Sequence, residues 1–282
     1  MRYIGMLSIV LLVFGSCRKT TTGPDEPPPH PPVIYEIDFY PACQGNQVFY
    51  LHAAKPDPSD TAGIYTIDLN GENKRLILPS TVPLTFDWFY PNLLVVSDGT
   101  VYKVDLGDSA ITPLTKPESF YVFPSISPDG RKILVENPYW PDAGIWLMNL
   151  DGSDLHKIIP GAQFPDWSRD GTKMVGILPY TEIVVADTGG NIIKGINCPG
   201  IDVRYPKLSP DDSKIVFSSQ AEGSAPQIWI MNSDGSNMHQ ITTTGGNFPE
   251  WTANGQIIFT NLVNGYLYLM NDDGTGLKAI TK

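Results

Sequence analysis

The residues that could perform acid–base or metal chemistry in this 282-residue chain are few and scattered. The four histidines are His30, His52, His156 and His239, and no Gly-x-Ser-x-Gly, His-Glu-x-x-His or glycine-rich phosphate loop accompanies them. His156 and His239 occupy the same position in two copies of a sequence repeat. Equivalent positions on separate copies do not converge on one substrate or metal. The sequence therefore predicts a protein that is not an enzyme and uses no cofactor.

A second candidate set consists of polar residues at one repeated position, directly after a proline or its equivalent. In a cyclic arrangement of the repeats they would surround a central axis. The set comprises Asp38, Asp87, Ser125, Asp166, Lys207 and Glu250. Four carboxylates around one axis could attract a cation such as Ca²⁺, but Lys207 neutralises part of their charge. We expect a solvated polar channel, and a specific metal site is the alternative.

The repeat also predicts the elements that hold these residues. The stretch FPDWSRDGTKMV at 164–175 has counterparts that begin at Phe123, Tyr205 and Phe248, and the prolines of these four copies are 41, 41 and 43 residues apart. A second pattern, Ile-Trp-x-Met-Asn-x-Asp-Gly, alternates with the first, and two weaker copies lie upstream. Residues 33–282 divided by six give about 42 residues, the size of one four-stranded propeller blade. Alternating β-branched and aromatic runs between Gly, Asp and Asn turns supply the strands.

These motifs resemble a known family. The order Pro-x-Trp-Ser-Pro-Asp-Gly, an apolar strand, Ile-Trp-x-Met-Asn-x-Asp-Gly and a closing Leu/Ile-Thr is similar to the WD-like repeat of the TolB C-terminal β-propeller. The resemblance covers residues 33–282 and is strongest in the last four repeats. It implies an all-β, six-bladed propeller of four-stranded antiparallel blades. TolB carries an additional N-terminal α/β domain where this sequence has a linker, so a TolB-like propeller need not imply the role of TolB.

Aromatic residues supply the candidate binding surface. In such a blade the chain runs from the innermost strand A to the outermost strand D, and each strand reverses direction. The A–B and C–D turns therefore share one rim, here named the turn rim, while the B–C and D–A loops share the other, the loop rim. Phe123, Phe164, Tyr205 and Phe248 enter strand A on the loop rim and would surround the mouth of the channel. Packing between blades is one interpretation, since repeat proteins bury repeated apolar residues. An aromatic funnel for a peptide or small molecule is the other.

Tyr139 and Trp140 form a separate candidate site in the long B–C loop of blade three. They stand between two prolines in the run ENPYWPDAG. Such a rigid aromatic presentation is typical of binding hot spots. The alternative is that both rings cap the edge of the blade.

The N-terminal residues predict export and anchoring. Arg2 provides a positive start, residues 4–14 are almost all apolar, and small residues precede Cys17. Eleven residues are too few to span a bilayer, and the pattern 1–17 resembles a bacterial lipoprotein signal in which Cys17 is lipidated; a plain secretory signal is the alternative. Residues 18–32 are rich in proline and lack apolar periodicity, which predicts a tether.

Charge limits the classes of partner. The chain has 30 acidic and 19 basic residues, a net charge of −11, which disfavours nucleic acid and direct binding to anionic lipid headgroups. The sequence thus predicts a monomeric protein of the bacterial cell envelope, lipid-anchored to the outer membrane, that binds an envelope protein or peptide without catalysis. The alternative is a carbohydrate- or small-ligand-binding protein, or a metal-dependent lyase-like protein, that uses the mouth of the channel.

Overall fold

A computed structural model describes residues 37–53, 61–80, 85–117, 119–179, 182–199, 201–220 and 224–282. The predicted signal, the lipidation site Cys17 and the tether 18–32 lie outside this part of the chain. Within it, 24 strands and no helices are present, which confirms the predicted all-β class. Accordingly, none of the described residues belongs to a helix that could cross a membrane.

Every four consecutive strands form one antiparallel sheet, and the six sheets are the six blades. Blade one contains β1 (Ile37–Gln44), β2 (Gln47–Ala53), β3 (Gly63–Asp68) and β4 (Arg75–Pro79). Blade two contains β5 (Thr85–Phe89), β6 (Asn92–Ser97), β7 (Thr100–Asp105) and β8 (Ile111–Pro113). Blade three contains β9 (Val122–Ile126), β10 (Lys132–Asn137), β11 (Gly144–Asn149) and β12 (His156–Pro160). Blade four contains β13 (Gln163–Trp167), β14 (Lys173–Leu178), β15 (Glu182–Asp187) and β16 (Ile192–Asn197). Blade five contains β17 (Asp202–Leu208), β18 (Lys214–Gln220), β19 (Gln227–Asn232) and β20 (His239–Gln240). Blade six contains β21 (Asn247–Trp251), β22 (Ile257–Thr260), β23 (Leu267–Met270) and β24 (Lys278–Ala279).

The core is distributed around the ring. Six clusters of buried apolar side chains each lie between two neighbouring blades. One of them joins the last blade to the first, with Val48 and Tyr50 against Ile258 and Leu267. Alternate strand residues therefore face a neighbouring blade, as the repeated β-branched and aromatic pattern predicts.

Hydrogen bonds support ring closure at the same junction. The backbone N–H of Asp38 donates to the carbonyl of Gly265 over 2.7 Å. The Thr260 hydroxyl donates to the carbonyl of Asp38 over 2.9 Å. Each described blade consists of four consecutive strands, so blades one and six meet by packing of whole blades.

Three buried tryptophans fix the innermost strands to one another. Each lies near the end of strand A of an even-numbered blade and donates its indole N–H to a backbone carbonyl of the preceding blade. The pairs are Trp88 with Ala42 at 3.1 Å, Trp167 with Ser125 at 3.2 Å, and Trp251 with Lys207 at 3.1 Å. The accepting residues belong to the strands that line the channel, so these bonds hold the channel wall in place.

Candidate functional site

Aromatic residues interrupt the innermost strand in five of the six blades. Each has a positive φ between 48° and 54°, and the pairing of strand A with strand B slips at the same place. A proline follows each of them. The five residues are Tyr40, Phe123, Phe164, Tyr205 and Phe248. Each is therefore the core of a β-bulge, which re-aims its side chain.

The five rings meet on the axis of the channel. Going around the ring, the centroids of neighbouring aromatic side chains are 4.3 to 6.0 Å apart. Ring contacts also run across the channel axis, where the ring centroids are 6.2 Å apart for Tyr40 and Tyr205 and 5.7 Å apart for Phe123 and Tyr205. We name these five rings the aromatic plug. The four aromatic residues that the sequence singled out thus close the channel, together with Tyr40.

Backbone strain accompanies the plug. A residue other than glycine at positive φ costs on the order of 1 kcal/mol or more, and such residues concentrate at ligand clamps and active sites. Five of them at one level mean that the fold gives up stability to place aromatic rings on the axis.

Blade two departs from this pattern. Thr85 stands where the other blades have the bulged aromatic residue, and β5 pairs with β6 without a slip. The Thr85 hydroxyl accepts the backbone N–H of Phe123 over 3.1 Å. The plug therefore has five rings around six blades, with a small polar residue at the sixth position.

A polar layer lies directly beneath the plug, on the side of the turn rim. The Lys207 ammonium lies 2.8 Å from Asp166 Oδ1 and 3.0 Å from Glu250 Oε2. The Ser125 hydroxyl donates to Asp166 Oδ1 over 3.0 Å, and Asp87 accepts the backbone N–H of Trp88 and of Ile126. The structure thus brings together the predicted residues Asp87, Ser125, Asp166, Lys207 and Glu250. Of these, Asp87, Lys207 and Glu250 line a cavity of about 80 Å³ together with the plug.

Burial dominates the electrostatics of this layer. It raises the pKa of Asp87 to about 6 and that of Glu250 to about 7. Burial opposes the charge of Lys207 as well, but the carboxylates of Asp166 and Glu250 outweigh it and raise the pKa of the ammonium. The layer therefore surrounds one fixed cation, Lys207, and its acids Asp87 and Glu250 titrate close to neutral pH.

Asp38 does not belong to this layer, contrary to the sequence prediction. Blade one contributes Ala42 to the cavity wall. Asp38 is 2 % exposed, and its Oδ1 lies 2.6 Å from His52 Nδ1. The prediction aligned blade one on Ile37-Asp38, whereas Tyr40-Pro41 is the pair equivalent to the other bulges. Among the described residues, no group of three or more His, Cys, Asp or Glu side chains is arranged to hold a metal ion.

A pocket of about 210 Å³ opens above the plug on the loop rim. The plug rings of Tyr40, Phe123, Phe164, Tyr205 and Phe248 form its floor, and its polar wall groups include Glu136, Gln163, Arg204, Ser218 and Asn247. We name it the loop-rim pocket. Three of these wall residues, Gln163, Arg204 and Asn247, directly precede a plug residue in the chain, so the same bulges position both floor and wall.

Glu136 is the most buried charged group of the pocket, at 2 % exposure. Its carboxylate accepts the backbone N–H of the plug residue Phe164 over 2.8 Å. Burial raises its pKa to about 7. Glu136 was not among the residues predicted from the sequence, although an acid directly after the apolar run Ile-Leu-Val of β10 is a signal that could have indicated it.

Arg204 supplies the positive charge of the pocket wall. Its guanidinium donates to Asp202 Oδ2 from Nη2 over 2.8 Å and from Nε over 3.1 Å. Both bonds go to one carboxylate oxygen, so the remaining guanidinium N–H groups do not take part in the pair with Asp202. Burial raises the pKa of Tyr40 to about 12, so its hydroxyl in the floor stays protonated.

The predicted residues Tyr139 and Trp140 lie in a different depression of the loop rim. Trp140 is 90 % exposed, which rules out the capping interpretation for its ring, and Tyr139 is 54 % exposed. The Phe120 ring lies edge-on to Tyr139 at 5.3 Å. We name the depression the aromatic groove; it measures about 620 Å³ and is lined by Ser119, Phe120, Tyr121, Asn137, Tyr139, Trp140, Asp142 and Trp146.

Comparison with known proteins supports the fold. No protein-family model and no curated protein matches the chain. A solved structure from Agrobacterium tumefaciens that is assigned as TolB is 24% identical, with a TM-score of 0.62, over 74% of this chain and 84% of that one. TolB from Acinetobacter baumannii is 21% identical, with a TM-score of 0.66, over 76% of this chain and 58% of that one.

An enzyme shares the architecture as well. An oligogalacturonate lyase in complex with manganese is 14% identical, with a TM-score of 0.55, over 87% of this chain and 77% of that one. At such identities the similarity establishes the fold. The predicted TolB-like, six-bladed β-propeller is therefore confirmed as a fold.

Proposed function

We propose that the chain is a non-enzymatic binding protein of the bacterial cell envelope, held at the outer membrane through a lipid on Cys17, that acts as a monomer. Its loop rim contacts an envelope protein or peptide. One observation carries the proposal: five aromatic residues with positive φ form the floor of an open pocket on that rim. A floor that serves packing alone would not require five strained residues at one level.

The chemistry of the loop-rim pocket suits a side chain of a partner. The floor is aromatic, while amide and guanidinium donors from Gln163, Asn247 and Arg204 stand around it. Concave sites of this kind combine apolar area with a few oriented polar groups. A volume of about 210 Å³ accommodates about one large side chain of an inserted segment.

The buried Asp–His pair of blade one supports binding over catalysis. Asp38 and His52 form a close pair, but they are 2 % and 1 % exposed, and a substrate has no access to them. A general base must reach the proton that it abstracts, and this pair is not placed to do so.

Site-specific photo-crosslinking in envelope extracts tests the proposal. A photoreactive phenylalanine analogue at Gln163, in the pocket wall, is expected to crosslink a defined envelope protein, and Phe164→Ala should abolish that crosslink. The same analogue at Tyr90 is the matched control, because Tyr90 is an exposed aromatic residue, 68 % accessible, in the A–B turn of blade two on the turn rim. Equal labelling from both positions, or none from Gln163, would contradict the proposal.

A metal-dependent or small-ligand role is the competing candidate, because the fold is shared with a manganese-bound lyase. A ligand that binds only the folded state raises its apparent stability. Thermal unfolding with and without Mn²⁺, Ca²⁺ and an oligogalacturonate separates the two functions. A rise in melting temperature that Glu250→Gln removes would favour the competing candidate.

A further inference from the structure

The aromatic groove presents hydrogen-bond donors that the propeller does not use. Trp146, at the edge of the groove, donates its indole N–H to the carbonyl of Asp142 over 3.0 Å, and the channel-wall tryptophans Trp88, Trp167 and Trp251 donate theirs to backbone carbonyls. Within the described residues, no partner is present for the indole N–H of Trp140 or for the hydroxyls of Tyr121 and Tyr139. The groove therefore combines exposed ring faces with unpaired donors.

Such a combination suits a proline-rich segment in the polyproline II conformation. That helix has no internal hydrogen bonds, so its carbonyls accept bonds from a binding surface. Its proline rings stack on exposed aromatic side chains, and its rigidity keeps the loss of conformational entropy small. Tyr139 and Trp140, each more than half exposed, provide the faces, and the indole and phenol groups provide the donors.

The chain contains a segment of this kind itself. Residues 24–32, with the sequence PDEPPPHPP, include six prolines among nine residues. Pro-x-x-Pro spacing occurs three times in it, at Pro24 and Pro27, at Pro28 and Pro31, and at Pro29 and Pro32. The segment ends shortly before Ile37, where the described structure begins.

Ile37 enters the propeller on the rim that carries the groove. Its neighbour Asp38 bonds to Gly265, which lies in the B–C loop of blade six and hence on the loop rim. Phe120 precedes strand A of blade three, and Tyr139 follows strand B of the same blade, so both lie on that rim too. A segment that enters at Ile37 therefore does not have to cross the side of the propeller.

The distance is within reach. Tyr40 is three residues from Ile37, its ring lies 6.0 Å from that of Phe123, and Phe123 is three residues from Phe120. Three extended residues span at most about 11 Å, so with two side chains Ile37 and Phe120 are separated by no more than about 40 Å. Thirteen residues, the number from 24 to 36, span about 40 Å at the polyproline II rise of about 3.1 Å per residue. At the limit of about 40 Å the N-terminal end of the segment reaches Phe120, and any shorter separation brings more of 24–32 to the groove.

We propose that residues 24–32 dock into the aromatic groove of the same chain. The attachment makes the effective concentration of the segment millimolar in order of magnitude, so a weak contact suffices. Docking turns the loop rim towards the N-terminal side of the chain, where the anchor is predicted. The inference goes beyond the proposed function, because the loop-rim pocket and the groove are lined by different residues.

Fluorine NMR of the full chain labelled with 5-fluorotryptophan tests this docking. Trp140→Phe assigns the Trp140 resonance, and the comparison is between wild type and a variant with all six prolines of 24–32 replaced by serine. We expect the Trp140 resonance to move towards its solvent-exposed position in the serine variant. The buried Trp88 resonance should stay fixed in both, which shows that the propeller is intact.

A free peptide, PDEPPPHPP, distinguishes docking within the chain from docking of another molecule. It should shift the Trp140 resonance of the serine variant back, with a much smaller effect on wild type, where the groove is filled. An SDESSSHSS peptide, with all six prolines replaced, should shift neither. The proposal is overturned if the serine variant and wild type give the same Trp140 resonance, or if the peptide titrates both with equal affinity, since the groove would then be open to a partner.

Discussion

Carboxylates on the turn rim and carboxylates in the channel have pKa values shifted in opposite directions. On the turn rim, the Thr172 backbone N–H and the Ser168 hydroxyl lower the pKa of Asp170 to about 2. Hydroxyls of Ser209 and Ser213 do the same for Asp211. On the two sides of the plug, burial raises the pKa of Glu136, in the loop-rim pocket, and of Glu250, in the channel, to about 7.

The direction of the pKa shift distinguishes acids that stabilise the propeller from acids that the propeller holds at a cost in stability. An acid with a lowered pKa is better solvated by the folded protein than by water, so it stabilises its turn at neutral pH. An acid with a raised pKa makes the folded state less stable at neutral pH. Groups of the second kind are typical of functional sites, and here they border the aromatic plug from both sides.

Lys207→Met is expected to have the largest effect on stability. Its ammonium contacts Asp166 and Glu250, so its loss leaves two half-buried carboxylates without their cation. Removing one partner of a buried ion pair costs about 3–5 kcal/mol; because Lys207 is 24 % exposed, we expect about 2–4 kcal/mol in the free energy of unfolding at pH 8. Urea denaturation measures it.

Lys173→Met on the turn rim is the matched control for this comparison. Lys173 lies 2.6 Å from Asp212, but the two side chains are 36 % and 22 % exposed, and such pairs contribute about 1 kcal/mol or less. The deficit of Lys207→Met should shrink at pH 5, since carboxylates without Lys207 take up protons more readily. Equal losses for the two variants would remove the distinction between channel and turn rim.

Glu136→Gln is expected to alter how stability depends on pH. The folded pKa of about 7 lies above the usual value of 4.5, so the stability contributed by the protonated acid is fully present below pH 4.5 and is lost as the pH rises through 7. The loss is about 1–3 kcal/mol. The amide that replaces the carboxylate would stay neutral and could still accept the Phe164 N–H, so the free energy of unfolding should fall less between pH 5 and pH 8 than in wild type.

Asp211→Asn is the control for the pH comparison. Asp211 has a lowered pKa of about 2, so it remains charged throughout the window from pH 5 to pH 8. Its replacement should leave the slope of stability against pH unchanged there. A Glu136→Gln slope identical to that of wild type would mean that the Glu136 carboxylate is solvated in the folded protein.

The repeat was sufficient to predict the blades. Prolines about 41 residues apart, apolar alternation and Asp-Gly turns are local signals, and each appears in the structure where its copy predicts it. The positions of Asp87, Asp166, Lys207 and Glu250 around one axis followed from the same periodicity. For these residues, cyclic symmetry turns spacing along the chain into proximity in space.

The departures from symmetry were not predictable in this way. Blade one is shifted by four residues relative to the alignment on Asp38, because the pair Tyr40-Pro41, and not Ile37-Asp38, corresponds to the aromatic–proline pair of the other bulged strands. Closure of the channel by the plug depends on backbone φ values, which the sequence does not state. Glu136 enters the pocket wall from β10, which the repeat pattern marks only as an apolar strand.

Asp211→Ala should have a smaller effect on stability at neutral pH than Lys207→Met or Glu136→Gln. Asp211 Oδ1 accepts the hydroxyls of Ser209 and Ser213 and the Ser213 backbone N–H in an exposed turn. Exposed bonds of this kind are screened by water, so we expect a loss of about 1 kcal/mol or less. Because the folded pKa is lowered, the loss is present above the unfolded pKa near 4 and disappears as the pH falls through about 2. Urea denaturation at pH 7 and at pH 3 would measure this loss. A larger deficit at pH 3 than at pH 7 would contradict the assignment of the Asp211 carboxylate as a stabiliser of its turn. The contrast between turn-rim acids and buried acids would then not hold.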